Sequence, residues 1–459
     1  LFRINYIEPL VMLATLLRWL FLASITGVLV GTGASIFLQL LFYSTNQTAH
    51  IPLWVQLILL PFGGLVNGLL IYFGYRKKHA EEDSVIAAVH KQKGRLPLKT
   101  LPIKPLAAVV TLASGGSAGK EGPCSHIGGT LASWLGRIMH LSPRLQRKIV
   151  ACGVSAGFAS VFGTPIAGAI YAVEVLSLGR IRHDYLFAAV IAGITSFQIS
   201  KIWGITYAYY PLDFVEDFSE ALFLKVIIIG ILCGLVALLF IEMFEEMRLF
   251  FNYIQQRFRI WRPMMPVIGG VVLSILILFI PADYLGLSLP IMDTALRGED
   301  IPAFAFFWKA LLVAVTLGSG FYGGIVTPQF VIGALSGNVF AGMLGVNPIL
   351  GASVGMVAVV AAASNTPIAA VFMGFELFGG SIGVYVVGAC LAAYIIIGHR
   401  SVYPDQLIAF SKSIWMHTKP GSSLGERDIQ ISYGLLRKIQ RWQRRQAAKH
   451  GRLKSPKKK

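Results

Sequence analysis

Apolar residues dominate long stretches of the chain, and the clearest runs are Leu20 to Phe42, Leu53 to Phe73, Ala188 to Ile199, Leu222 to Phe240, Val267 to Ile280 and Ile382 to Ile397. In hydrocarbon every backbone N–H and C=O must be paired inside the protein, so such runs predict helices in a bilayer. The two-residue alternation that a membrane β-barrel needs is absent. Many apolar segments are too short to span, because Gly or Pro interrupts them. The breaks lie at Gly115 to Pro123, Gly163 to Pro165, Gly318 to Pro328 and Asn365 to Pro367. Irregular backbone at membrane depth is tolerated only where it is buried or lines a cavity. New helices are therefore predicted to begin within the membrane from about Pro123, Pro165, Pro328 and Pro367, since Pro suits a first helical turn.

The breaks belong to an internal repeat. Thr111 to Gly128 (TLASGGSAGKEGPCSHIG) aligns without a gap on Thr316 to Gly333 (TLGSGFYGGIVTPQFVIG). Thr164 to Glu174 (TPIAGAIYAVE) aligns on Thr366 to Glu376 (TPIAAVFMGFE) at nearly the same offset. The expected organisation is an N-terminal cytoplasmic segment (1–16), a first membrane repeat (17–202), an outward acidic loop (203–221), a second repeat (222–410) and a short basic cytoplasmic tail (411–459).

Composition sharpens this picture. Of the 459 residues, 55% are apolar and only 14% charged, against about a quarter charged in soluble proteins. The net charge of +18 would in a soluble protein suggest nucleic acid. Here the basic residues cluster between apolar runs: Arg76 to Lys104, Arg144 to Lys148, Arg180 to His183, Arg248 to Arg262, and beyond Arg400. Asp213, Glu216, Asp217 and Glu220, then Asp283, Asp293, Glu299 and Asp300, gather elsewhere. The positive-inside rule puts the basic loops in the cytoplasm and the acidic loops outside, so membrane topology accounts for the charge and no nucleic-acid partner is expected. The segment after the first TPIAG is basic and the segment after its repeat is not, so the halves are inverted relative to each other. In that arrangement substrate sits near the midplane, where broken helices meet. Cys124, Cys152, Cys233 and Cys390 lie in apolar segments without a CxxC pair and read as buried thiols.

A helix start offers unpaired N–H groups and partial positive charge. Several such starts aimed at one midplane point make an anion site without a fixed cation, from which the ion can also leave. The same features fit a cation-coupled carrier, with the starts holding a substrate carboxylate. Glu121 is the outstanding side chain. A carboxylate at that depth is a functional candidate, and it can compete with an anion for the same donors until it is protonated. A structural pair with Lys120 is the alternative. Glu174 and Glu376 read as structural or interfacial carboxylates, and His126 as a packed or hydrogen-bonded histidine. No HExxH, Walker loop or GxSxG in a strand–turn–helix setting is present, so the chain is not read as an enzyme. No metal and no cofactor is expected.

Three motifs in order carry a resemblance. Gly119 to Pro123 (GKEGP), Gly324 to Pro328 (GIVTP) and Arg400 to Gln406 (RSVYPDQ) resemble the GREGP, GIFxP and pore-tyrosine segments of the CLC chloride channel and transporter family. The resemblance covers about residues 15–410. It implies an all-α membrane fold of two inverted repeats with discontinuous helices, and a homodimer with one anion pore per subunit. It also implies Glu121 as gate, with backbone N–H groups of Gly119, Lys120, Gly122, Gly324, Ile325 and Val326 and the Tyr403 hydroxyl around the anion.

The departures from the family pattern matter as much. The family's GSGIP serine motif is absent; its place falls at His79 to Ser84, leaving Ser84 as the hydroxyl candidate. The fluoride-exporting branch also lacks that motif and carries a GGxVTP segment, here Gly323 to Pro328, but with a glutamate where this chain has Ile325. Proton-coupled members commonly carry an inner glutamate at the position of Val175, with Glu174 adjacent here. Chloride permeation, passive or weakly proton-coupled, is the leading expectation. Chloride/proton antiport and a fluoride-selective member are the alternatives within the family. Leu435, Leu436, Ile439 and Trp442 in the basic tail fit an amphipathic helix on anionic lipid.

Overall fold

The computed structural model describes residues 4–48, 51–74, 84–211, 218–426 and 429–431. Among them are sixteen α-helices in two sets of eight. The first set is α1 (Ile4–Thr48), α2 (Leu53–Gly74), α3 (Val85–Lys91), α4 (Thr100–Ala113), α5 (Glu121–Ile138), α6 (Pro143–Phe162), α7 (Pro165–Glu174) and α8 (His183–Ile202). The second is α9 (Glu220–Phe258), α10 (Met265–Leu276), α11 (Leu289–Leu296), α12 (Ala305–Gly318), α13 (Val326–Leu344), α14 (Pro348–Ala363), α15 (Pro367–Phe378) and α16 (Gly383–Ile396). The all-α fold with discontinuous helices is as expected, and α5, α7, α13 and α15 start at or within two residues of the predicted prolines.

Packing repeats with the sequence. In the first half α5 lies on α6 and α1 on α8; in the second α13 lies on α14 and α9 on α16. Small residues permit the closest of these approaches: a Cβ on Gly128 would stand 2.0 Å from Gly153 O, and one on Gly333 2.4 Å from Gly355 O. The halves meet through equivalent partners, α2 with α10 and α7 with α15, as an approximate two-fold axis requires.

Among the described residues α1, α2, α8 and α9 are long and apolar enough to cross a membrane, and the helices flanking the breaks are shorter. Apolar side chains on the outside are largely uncovered, Ile202 at 79% and Phe279 at 82% for example, as lipid-facing positions are.

Residues 4–16 are the opening turns of the long helix α1. Two placements differ from expectation. The basic stretch from Arg248 runs along the last turns of α9 to Phe258 instead of forming a loop. Lys104, counted with the loop charges, lies in α4 and is buried. After α16 the chain returns across the first repeat, where β2 (Leu407–Ile408) pairs in parallel with β1 (Ser177–Leu178). Most of the segment expected to replace the GSGIP motif, the acidic residues 213–217, and the tail with Leu435 to Trp442 lie outside the described residues.

Candidate anion site

The two equivalent breaks meet at the centre. The chain turns at Gly115 (φ +96°) after α4 and at Gly320 (φ +102°) after α12, conformations that favour glycine. Each then runs to a second glycine, and these join as an isolated antiparallel bridge: Gly119 N–H donates to Gly324 O and Gly324 N–H to Gly119 O, both at 2.8 Å. From this bridge α5 and α13 begin. A Cβ on Gly324 would lie 2.7 Å from Gly122 N, so the two helix starts approach this closely only with glycine there.

Glu121 is the first residue of α5, yet its carboxylate reaches across to the start of α13. Its Oε1 accepts from Val326 N–H at 2.5 Å and its Oε2 from the Thr327 hydroxyl at 2.6 Å. The residue is 3% exposed. Val326 N–H is one of the first-turn donors that a helix leaves without an internal partner. The carboxylate thus occupies donors of the kind that a helix start can offer to an anion.

A cavity lies on either side. One, of about 450 Å³, is lined by Glu121, Val326, Lys104, Tyr171, Val175 and Tyr403 among others. The other, of about 460 Å³, is lined by Lys120, Thr327, Phe162, Phe330, Tyr207 and Asp293 among others. No lining residue is shared, but 120 with 121 and 326 with 327 are chain neighbours, so the Glu121 contacts stand at the partition. A row of rings runs past it: Tyr171 stacks on Phe158 at 4.5 Å, Phe158 touches Phe162 at 4.7 Å, and Phe162 meets Phe330 edge-on at 4.8 Å. Ring edges carry partial positive charge and suit an anion. The described site is therefore a buried carboxylate on neutral donors, next to two cavities of about 450 and 460 Å³.

The Voltage gated chloride channel family model matches residues 63–398, which run from the middle of α2 to the end of α16 and contain both breaks. The chain belongs to the CLC family. A relative from Pseudomonas syringae pv. tomato, named a chloride/fluoride channel protein, is 35% identical over 88% of this chain and 90% of its own length. The crystal structure of a CLC-type fluoride/proton antiporter matches at 30% identity and TM-score 0.79, over 86% of this chain and 98% of that one. A slow cyanobacterial Cl−/H+ antiporter shares the fold at 23% identity and TM-score 0.70.

In this CLC protein the expected residues divide. Glu121, Gly122, Val326 and Tyr403 line one cavity and Lys120 the other. The Tyr403 hydroxyl lies 2.9 Å from that of Tyr171. Gly119 and Gly324 do not offer their N–H groups to an anion, because each is consumed by the other. Ile325 packs in the core and lines neither cavity. Ser84 reaches the first cavity, but its hydroxyl is bonded to Asp405 at 2.5 Å. Val175 lines that cavity as well.

The starts of α7 and α15 also depart from expectation. Glu376, near the end of α15, accepts from Ile166 and Ala167 N–H at 3.0 and 2.8 Å, and Glu174, ending α7, accepts from Ile368 and Ala369 N–H at 3.2 and 2.8 Å. Each helix start is capped by a carboxylate from the end of the other, so its first amide groups are already occupied. Both carboxylates are thus held by backbone donors of the opposite repeat. His126 is 2.9 Å from the Thr100 hydroxyl, a hydrogen-bonded histidine as read.

Two buried lysines, one of them lining a cavity, were not singled out by the sequence pattern. Lys104 lines the first cavity, 5.7 Å from the centre of the Tyr322 ring. Its repeat equivalent, Lys309 on α12, is fully buried; its Nζ lies 2.8 Å from Ser117 Oγ, 2.9 Å from Gly286 O and Ser288 Oγ, and 3.2 Å from Tyr284 O. A lone lysine at the same register of both repeats was the available signal.

Proposed function

We propose that the chain moves halide-type anions across the cell membrane, chloride first among them, with Glu121 as the gate of a passive or weakly proton-coupled pathway. The observation that carries this is the Glu121 carboxylate on Val326 N–H and Thr327 Oγ, between two cavities that it separates. A carboxylate bound to donors that suit an anion is a competitive plug, and protonation or anion entry releases it. Val175 cannot take up a proton, and Glu174 is held by the start of α15, which favours loose coupling. The protein is expected to work as a homodimer in the bilayer, with its basic loops and termini cytoplasmic; exposed apolar residues such as Ile395 at 70% need lipid or a partner subunit.

A second reading is proton-coupled fluoride export, favoured by the 30% identity to a structure titled a fluoride/proton antiporter. The absence of a glutamate at Ile325 counts against it. Chloride and fluoride efflux from liposomes, each with and without an opposing pH gradient, separates the readings. Passive chloride flux that a pH gradient cannot drive uphill supports the first. Uphill fluoride movement with chloride excluded overturns it.

A further inference from the structure

The Tyr403 cavity has a hydroxyl that the gate does not use. Ser84, Tyr403 and Lys104 all line it, donors of the kind that suit an anion. Yet the Ser84 oxygen is 2.5 Å from Asp405 Oδ2 and accepts the Ala87 N–H at 3.0 Å. A hydroxyl has one hydrogen and an ionised carboxylate none, so the hydrogen in the short contact is the serine's and is committed to Asp405.

Asp405 is not a loosely held surface acid. The neighbouring Gln406 is fully buried, and its Nε2 donates to Val175 O at 3.0 Å and Ser364 O at 2.8 Å. Gly425 N–H donates to Pro404 O at 2.9 Å on the other side. The segment from Tyr403 to Gln406 is thus fixed to the end of α7 and to the turn after α14. Ser84 is in turn followed by α3, whose His90 lies 2.8 Å from Leu176 O. Both partners of the Ser84–Asp405 bond are anchored independently of it.

Resting on the anion-pathway reading above, we propose that Asp405 is a specificity-determining residue that withholds the Ser84 hydroxyl from small monovalent anions in the Tyr403 cavity. Conduction requires sites weak enough to release the ion. With Lys104 supplying a fixed positive charge, a second hydroxyl donor beside Tyr403 would make the cavity a trap. Asp405 removes that donor without removing the residue, and the anion passes on to the Glu121 site.

The test is a double-mutant cycle read by halide binding, with sodium chloride and sodium fluoride titrated calorimetrically against the full chain in detergent, sodium gluconate being the blank. In the native background Ser84→Ala is expected to change affinity less than about twofold. In Asp405→Ala, which removes the acceptor and leaves the hydroxyl hydrogen to the cavity, affinity rises, and adding Ser84→Ala then weakens binding about tenfold, the worth of one hydrogen bond to an ion. Equal effects of Ser84→Ala in the two backgrounds, or unchanged binding in Asp405→Ala, overturn the proposal. If Asp405→Ala does not fold, Asp405→Leu removes the same acceptor and is judged by the same two criteria. Binding does not depend on flux, so a chain that moves no halide in liposomes refutes the pathway reading while the cycle still decides the role of Asp405.

Discussion

Replacing Glu121 by Gln keeps the size of the side chain and removes its charge. In the native protein both carboxylate oxygens are satisfied, by Val326 N–H at 2.5 Å and Thr327 Oγ at 2.6 Å. Hydrogen bonds to a charged group are worth about 1.5–3 kcal/mol each, and neutral ones about 0.5–1.5. Gln can keep both contacts only as neutral bonds, its oxygen accepting from Val326 N–H and its amide donating to Thr327 Oγ. Closure is weakened by roughly 2–3 kcal/mol, a shift of roughly 30- to 140-fold in the closed-to-open ratio. Flux follows that ratio only until the gate is mostly open. The assay is chloride efflux from liposomes under a potassium diffusion potential at several pH values. Native flux is expected to rise as pH falls, because protonation releases the plug. Glu121→Gln is expected to run at or above the native acid-side rate at every pH, with no slope. A Gln variant that keeps the native pH slope refutes the gate, whatever its absolute rate.

Thr327→Val removes one of the two donors and leaves Val326; flux at neutral pH should rise about tenfold with its pH slope kept, and an unchanged rate would deny Thr327 a part in closure. Gly324→Ala puts a Cβ 2.1 Å from Glu121 Oε1 and 2.7 Å from Gly122 N; overpacking of this kind costs about 1–3 kcal/mol or more, to be read as a lower melting temperature together with lost pH control. Lys309→Met leaves the oxygens of Ser117, Tyr284, Gly286 and Ser288 without their ammonium. About 1–3 kcal/mol of stability should be lost through the unsatisfied buried oxygens, and an unaltered thermal melt in detergent would show that the lysine is not needed. Glu174→Gln weakens the cap on α15 by about 1 kcal/mol and leaves the pH dependence of flux as it was; a flattened pH profile would instead place Glu174 on a proton route.

Much of the scaffold is legible residue by residue. The starts of α7 and α15 fall at Pro165 and Pro367, and those of α5 and α13 within two residues of Pro123 and Pro328, because Gly and Pro act on the backbone where they stand. Glu121 stands out because a carboxylate is costly at that depth wherever its partners are. The pairing of donors was not legible. The contacts of Glu121 with Val326 and Thr327 join residues more than two hundred positions apart, as do those of Glu376 with the start of α7. Four similar helix starts look equivalent in one dimension. The row of Tyr171, Phe158, Phe162 and Phe330 showed locally only as the four-residue spacing of Phe158 and Phe162, one helical turn.

The sequence by itself determined that this is a twice-repeated, helix-broken membrane chain with a single carboxylate at its first glycine break, since propensity, hydropathy and charge cost are local properties. The tertiary structure decided which amide groups remain for an anion. It spent those of Gly119 and Gly324 on each other, closed the starts of α7 and α15 with Glu376 and Glu174, and left Val326 and Thr327 under Glu121. A hydrogen-bond donor serves one acceptor at a time, and only the packed chain assigns the acceptor.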